Sequence, residues 1–240
     1  MTAVTTGTTD ARIRIATLAA IAVASLVLWH TPFGNVALFP FTILTTWFHE
    51  MGHGLAAIAV GSSFDHLVLY ADGSGYAVSA RPTDAGRITT ALIAAAGPMG
   101  PAIVGSLMIV ASGRDAHARQ ALYVLGAALV LSTVVWVRST IGWLVLPGLG
   151  VVTLLVAARG THGLVRFVVQ LVGVQACISA WRSFDYLFSD GGTVGGTAQR
   201  SDTAAIADVL LLPYWFWGAV ISVAIVSSMW WSLRRSLRHR

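Results

Sequence analysis

Lysine is absent from this chain, and glutamate occurs once, at Glu50. All 15 basic residues are arginine, and charged residues of both signs fill only 10% of the 240 positions. A soluble domain carries about 25%. So little charge cannot cover a soluble surface, and with 56% hydrophobic residues the chain falls in the membrane class. No block of basic residues is interleaved with aromatics, which speaks against nucleic acid as a partner. Cys177 is the single cysteine, so no internal disulfide can form. The one clear basic cluster, RRSLRHR at 234–240, reads as a juxtamembrane anchor for anionic headgroups or as an orientation signal.

What the chain has in plenty is long apolar runs. About 20 apolar residues span a bilayer core. The candidate spans are 13–30, 36–60, 88–112, 120–137, 139–158, 163–181 and 205–232. The breaks are short and carry arginines, among them Arg81, Arg87, Arg114, Arg119, Arg138, Arg159, Arg182 and Arg200. Trp29, Trp181, Trp230 and Trp231 fall near span ends, where an aromatic belt sits. Ala22-Val23-Ala24 resembles a signal cleavage site, but the apolar run continues to Trp29, which favours an uncleaved first helix. Arg12, Arg14 and the C-terminal cluster place both termini on the cytoplasmic side, which requires an even number of crossings. Seven segments do not satisfy that, so either one of them, expected within 120–181, does not cross, or one terminus breaks the rule. The expectation is an α-helical integral membrane protein, a bundle of six to seven transmembrane helices forming one polytopic domain over 1–240.

Two stretches break the helical pattern. Within 61–87, HLVLYADGSGYAVSA has β-rich runs on both sides of Asp72-Gly73-Ser74-Gly75, a short hairpin between the second and third spans. SDGGTVGGTAQRSDT at 189–203 reads as a flexible glycine-rich loop ending in Ser201-Asp202, suited to capping the last helix.

The lone glutamate lies in FHEMGHGLAA, inside the span 36–60. On a helix, His49 and His53 share a face and can aim both imidazoles at one ion. Zinc suits that pair, and Glu50 beside it can act as general base to a zinc-activated water, the logic of HExxH. With seven histidines and one glutamate, random ordering yields this motif on the order of once in a thousand such chains. A charge in mid-span costs about 2.5–3.5 kcal/mol on the translocon scale, so it needs a partner and a purpose. The bland alternative is a set of polar groups hydrogen-bonded between helices.

Zinc usually takes a third protein ligand. No second glutamate exists, and His66, His117 and His162 fall in expected loops. Asp185, at the end of 163–181, lies at a depth compatible with His49 and His53 and is placed first. Asp202 has the bland alternative of being only a helix cap, and Asp208 that of facing the bundle or an arginine.

FHEMGHGLAA, with Gly52, Gly54 and Ala56 at small-residue positions, resembles the zinc helix of the site-2 protease family of intramembrane metalloproteases. AAAGPMGPA at 94–102 is similar to that family's Gly-Pro motif, and the hairpin 67–79 resembles its arrangement. The closer likeness is to the small bacterial branch without a PDZ domain, where VRSTIG (137–142) and SDTAAIADVLLLPYWFWG (201–218) are expected to recur. The family's Asn-Pro-Asp-Gly or Leu-Asp-Gly ligand motif is missing here, and its Asp-Gly pairs are Asp72-Gly73 and Asp190-Gly191. The second adds Asp190 to the candidate ligands. Pro101 also stands where the family often has asparagine, which leaves room for altered substrate handling or lost catalysis.

The resemblance implies a zinc endopeptidase of the bacterial cytoplasmic membrane, acting on transmembrane or membrane-proximal segments of membrane proteins. The hairpin 67–79 has two readings, a cap on the bundle or an edge that pairs with an unfolded substrate strand. Gly97, Pro98, Gly100 and Pro101 are expected to serve close helix packing. A second reading is a catalytically silent zinc protein that binds a partner helix, and it would favour four protein ligands. Metal transport would need a chain of ionisable residues through the spans, and only one polar turn of that kind occurs.

Overall fold

The computed structural model describes residues 3–80 and 86–238, with side chains from 13 to 80 and from 86 to 236. The side chains of Arg12, Leu237 and Arg238 and the residues Arg81, His239 and Arg240 lie outside the described set. The chain runs through helices α1 (Ala3–Trp29) and α2 (Pro32–Ala59), strands β1 (Ser63–Leu69) and β2 (Gly75–Ala80), and helices α3 (Arg87–Ala111), α4 (Asp115–Val135), α5 (Thr140–Arg159) and α6 (His162–Arg182). It ends with α7 (Phe184–Leu187), β3 (Gly191–Val194), β4 (Thr197–Arg200), α8 (Asp202–Val209) and α9 (Tyr214–Arg238).

Among the described residues, five helices are long and apolar enough to cross a bilayer: α3, α4, α5, α6 and α9. Ile13–Trp29 and Pro32–Ala59 meet the same test only together, bent by 117°. Among the described residues the candidate spans therefore number five or six, which overlaps the expected six to seven at six, because the first two expected spans form one bent pair. Pro32 pushes Thr31 into an extended conformation, φ −120° and ψ 144°, and the Thr31 hydroxyl then caps the Gly34 N–H at 2.9 Å. The expected span 205–232 is likewise two helices. Pro213 has no N–H and disfavours helix at Leu212, so α8 stops at Val209 and α9 begins at Tyr214.

Helix α3 is the packing centre, touching α2, α6, α8 and α9. Small residues permit this. A Cβ on Gly52 would lie 2.3 Å from the Ala96 carbonyl oxygen, and one on Gly100 would lie 2.3 Å from that of Phe48. One buried cluster joins α2, the first hairpin and α4–α6 around Ile43, Leu67, Leu122, Leu129 and Val169. A second joins α3 to α7–α9 around Ala102, Leu187, Ile206 and Ile225. Exposed apolar side chains such as Val124, Leu131, Leu144 and Val223 cover the outside, as suits contact with acyl chains.

β1 and β2 pair antiparallel, with Leu67 opposite Ala77 and Leu69 opposite Gly75. The outer edge of β1 is taken by 136–139. Leu67 N–H donates to the Trp136 carbonyl at 2.9 Å, Arg138 N–H donates to the Leu67 carbonyl at 2.9 Å, and Leu69 N–H donates to the Ser139 hydroxyl at 3.0 Å. The turn is pinned to α2 by Thr46, whose hydroxyl donates to the Gly73 carbonyl at 2.6 Å. The stretch expected as a flexible loop, 189–203, is instead mostly a second hairpin. β3 and β4 pair in register around Gly195-Gly196, at φ +55° and +82°. A glycine pair accepts both positive φ angles of a two-residue turn without cost.

Candidate active site

His49, Glu50 and His53 occupy one turn of α2, which four-residue spacing dictates. The two imidazole Nε2 atoms face each other at 3.1 Å. His53 donates its Nδ1–H to the Ile93 carbonyl of α3 at 2.8 Å, which leaves Nε2 with a lone pair directed at the centre. Asp202, the first residue of α8, completes the group. Its Oδ2 lies 3.1 Å from His49 Nε2 and its Oδ1 lies 3.2 Å from His53 Nε2. Among the described residues this is the group of His, Cys, Asp and Glu donors close enough to share a metal ion. Gly97 leaves the space for it, since a Cβ there would lie 2.1 Å from His53 Nε2 and 2.8 Å from His49 Nε2. The glycine read from the sequence as packing therefore also clears the centre.

Asp202 is held by its neighbours. Ser201 caps α8 by accepting the Ala204 N–H at 3.1 Å, and its own hydroxyl donates to the Ser189 carbonyl at 2.6 Å. The Thr203 hydroxyl donates to the Leu187 carbonyl at 2.9 Å, and the Asp202 N–H donates to the Tyr186 hydroxyl at 3.2 Å. Arg200 donates to both Asp190 oxygens at 2.8 and 2.9 Å and to Asp208 at 2.5 and 3.2 Å. Exposed ion pairs add little stability. This one instead ties β3, β4 and α8 together immediately before Asp202. Arg200→Ala is expected to lower metal affinity about 10–100-fold, the usual effect of losing an outer support. Competition against a chelating dye measures it, and an unchanged affinity would remove Arg200 from this role.

The other candidates lie elsewhere. Asp185, placed first from the sequence, is exposed on α7 and is not brought to the histidines. α7 is a single turn, and its inward-facing polar residue is the adjacent Tyr186. Asp190 and Asp208 are occupied by Arg200. His66 pairs with Asp65 at 2.9 Å and His162 with Asp115 at 3.2 Å, while His117 is exposed on α4. The geometry thus moves the carboxylate to Asp202. Ser201-Asp202 has a sufficient explanation as a helix start, and that masks its second use.

Glu50 is buried at 4% exposure, and its carboxylate accepts the Ala77 N–H of β2. Two cavities, of about 250 and 220 Å³, meet at this point. The lining of the first includes the hydroxyl-bearing residues Thr45, Thr46, Ser74, Ser179, Ser183 and Thr193. The second runs past Tyr76, Ile93, Ala94, Gln199 and Arg200 to Asp202. His49, Glu50, Gly75, Tyr186 and Val194 line both. Burial, reinforced by the charges of Asp202 and Glu50, raises the Tyr186 phenol above its ordinary value and keeps it protonated. The two hairpin turns touch across the mouth. Gly195 N–H donates to the Ser74 hydroxyl at 3.1 Å, and a Cβ on Gly195 would lie 2.3 Å from the Tyr70 ring.

The sequence model of the peptidase M50B-like family matches residues 18–232, a range that contains every residue of this centre. The chain belongs to the peptidase M50B-like family. No curated protein and no solved structure matches it. As a peptidase M50B-like protein it falls within the site-2 protease group, and with its apolar helices it is an integral, multi-pass membrane protein. In this M50B-like chain the paired histidines lie in FHEMGHGLAA, and the carboxylate facing them comes from SDTAAI.

Proposed function

We propose that the protein is a zinc metalloendopeptidase of a bacterial cytoplasmic membrane that cleaves transmembrane or membrane-proximal segments of other membrane proteins. The observation that carries this reading is the convergence of His49, His53 and Asp202 with Glu50 buried beside them. Donor separations of 3.1–3.2 Å approach the edge of a zinc tetrahedron, about 3.3 Å for bonds of about 2.0–2.1 Å. Two neutral imidazoles and a carboxylate form a familiar catalytic donor set, so His49, His53 and Asp202 would hold the zinc. When bound, zinc supplies a Lewis acid that polarises the scissile carbonyl and acidifies water.

Glu50 takes the proton of the attacking water and returns it to the leaving amine. The hydroxyl-lined cavity offers that water a path through an otherwise apolar bundle. The substrate is positioned by β2. Leu67 turns its N–H and carbonyl away from β2, so the facing Ala77 turns its own the other way, its N–H to Glu50 and its carbonyl to the free edge, and the alternation extends to Gly75 and Ser79. A substrate chain in extended form can add to that edge. A spanning helix must unwind to do so, which suits cleavage at a helix end or break.

The silent, structural-zinc reading would favour a closed set of four donors, and the group has three among the described residues. The test is metal removal. In liposomes carrying the protein and single-span reporter proteins, a strong zinc chelator is expected to stop cleavage and added zinc to restore it. Cleavage that continues in metal-free protein would sink the proposal.

A further inference from the structure

Resting on the peptidase reading, the structure assigns Tyr186 a catalytic role: we propose that its phenol donates a hydrogen bond to the scissile carbonyl oxygen as that oxygen becomes negative. The two cavities beside Glu50 share five residues. A substrate chain passing from one cavity to the other must cross that shared wall, so the scissile bond lies there. His49 gives Nε2 to the centre, so its Nδ1–H lies on the far side of the ring, and Glu50 must accept a proton. Gly75 and Val194 offer only backbone, and Gly75 belongs to the strand edge. Tyr186 is the one shared side chain left with a proton to offer.

Its local bonding leaves that proton available. The phenol oxygen accepts the Asp202 N–H at 3.2 Å, and no acceptor among the described residues takes the Tyr186 O–H. The same contact fixes the phenol relative to the carboxylate that faces the two histidines. As the water oxygen bonds to the carbonyl carbon, the π pair of the C=O moves onto its oxygen. The water proton passes to Glu50, and Tyr186 keeps its own proton while donating the hydrogen bond. A donor already in place for such charge contributes about 10²–10³-fold to rate.

The test uses the full-length, zinc-loaded protein in detergent and a phosphinic peptide, whose tetrahedral oxygens mimic the charged carbonyl. Tyr186→Phe is expected to keep one zinc per chain and its thermal unfolding temperature, and to bind the phosphinic peptide about 10²-fold more weakly. On any cleaved reporter its kcat should fall by a similar factor with KM unchanged. Equal affinity of wild type and variant for the probe overturns the inference, including the case where neither binds. Loss of zinc in the variant overturns it too, because the phenol would then be only a support for Asp202. A wild type that holds no zinc overturns the peptidase reading along with it. A wild type that holds zinc and binds the probe no better than Tyr186→Phe overturns this inference alone.

Discussion

Asp202→Ala is expected to abolish zinc retention, while Asp185→Ala is expected to leave it intact. The two aspartates sit on either side of the second hairpin, but only Asp202 approaches both imidazoles, at 3.1 and 3.2 Å. Removing an outer support of a metal ligand costs about 10–100-fold in affinity. Removing the only carboxylate in the donor group should cost more than about 10²-fold. The helical bundle should survive, because Ser201 still caps α8. Asp190→Ala and Asp208→Ala each leave Arg200 one partner and should fall between the two extremes. Metal content per chain after dialysis, read beside helical circular dichroism, orders the four variants. Full zinc in Asp202→Ala, or loss confined to Asp185→Ala, would defeat the assignment.

What the sequence reveals of this centre is whatever a single turn of helix creates. His49, Glu50 and His53 need only the 3.6-residue period to converge, so their spacing carries the geometry. Asp202 arrives by a tertiary route. The chain must leave α6, turn through α7, form β3 and β4 and re-enter as α8 before the carboxylate meets the histidines. Nothing local in Ser201-Asp202 separates a helix cap from a ligand that also starts a helix. Asp185 looks better placed only while depth is measured from the end of a straight span and the second hairpin is taken for loop. That hairpin is hard to see because its strands are four residues each, exposed, and rich in glycine. The first hairpin is clearer, with longer strands and an Asp-Gly turn. The bend between the first two helices and the split of 205–232 have a similar origin, since a hydropathy window smooths over Pro32 and Pro213 while the backbone cannot.

Glu50→Gln is expected to keep zinc and lose hydrolysis. Gln is nearly isosteric, and its side-chain carbonyl can still accept the Ala77 N–H, so α2 and β2 stay joined. Neither imidazole nor the Asp202 carboxylate is touched, so metal content should equal that of the wild type. Removing a buried charge that has one backbone donor also relieves desolvation, so the variant should unfold at no lower temperature. What it cannot do is take a proton from water, a loss of about 10²–10⁴-fold. The chain has no other glutamate, and the nearest carboxylate, Asp202, is engaged by both histidines, so no neighbour can substitute. A stalled enzyme should also retain its substrate on the β2 edge, giving co-purification of an intact membrane protein that the wild type cleaves. Cleavage by Glu50→Gln at the wild-type rate would show that the one glutamate in the chain is not the base. The most economical remaining explanation for a carboxylate there would be its bond to Ala77, which would make Glu50 a tie between helix and hairpin.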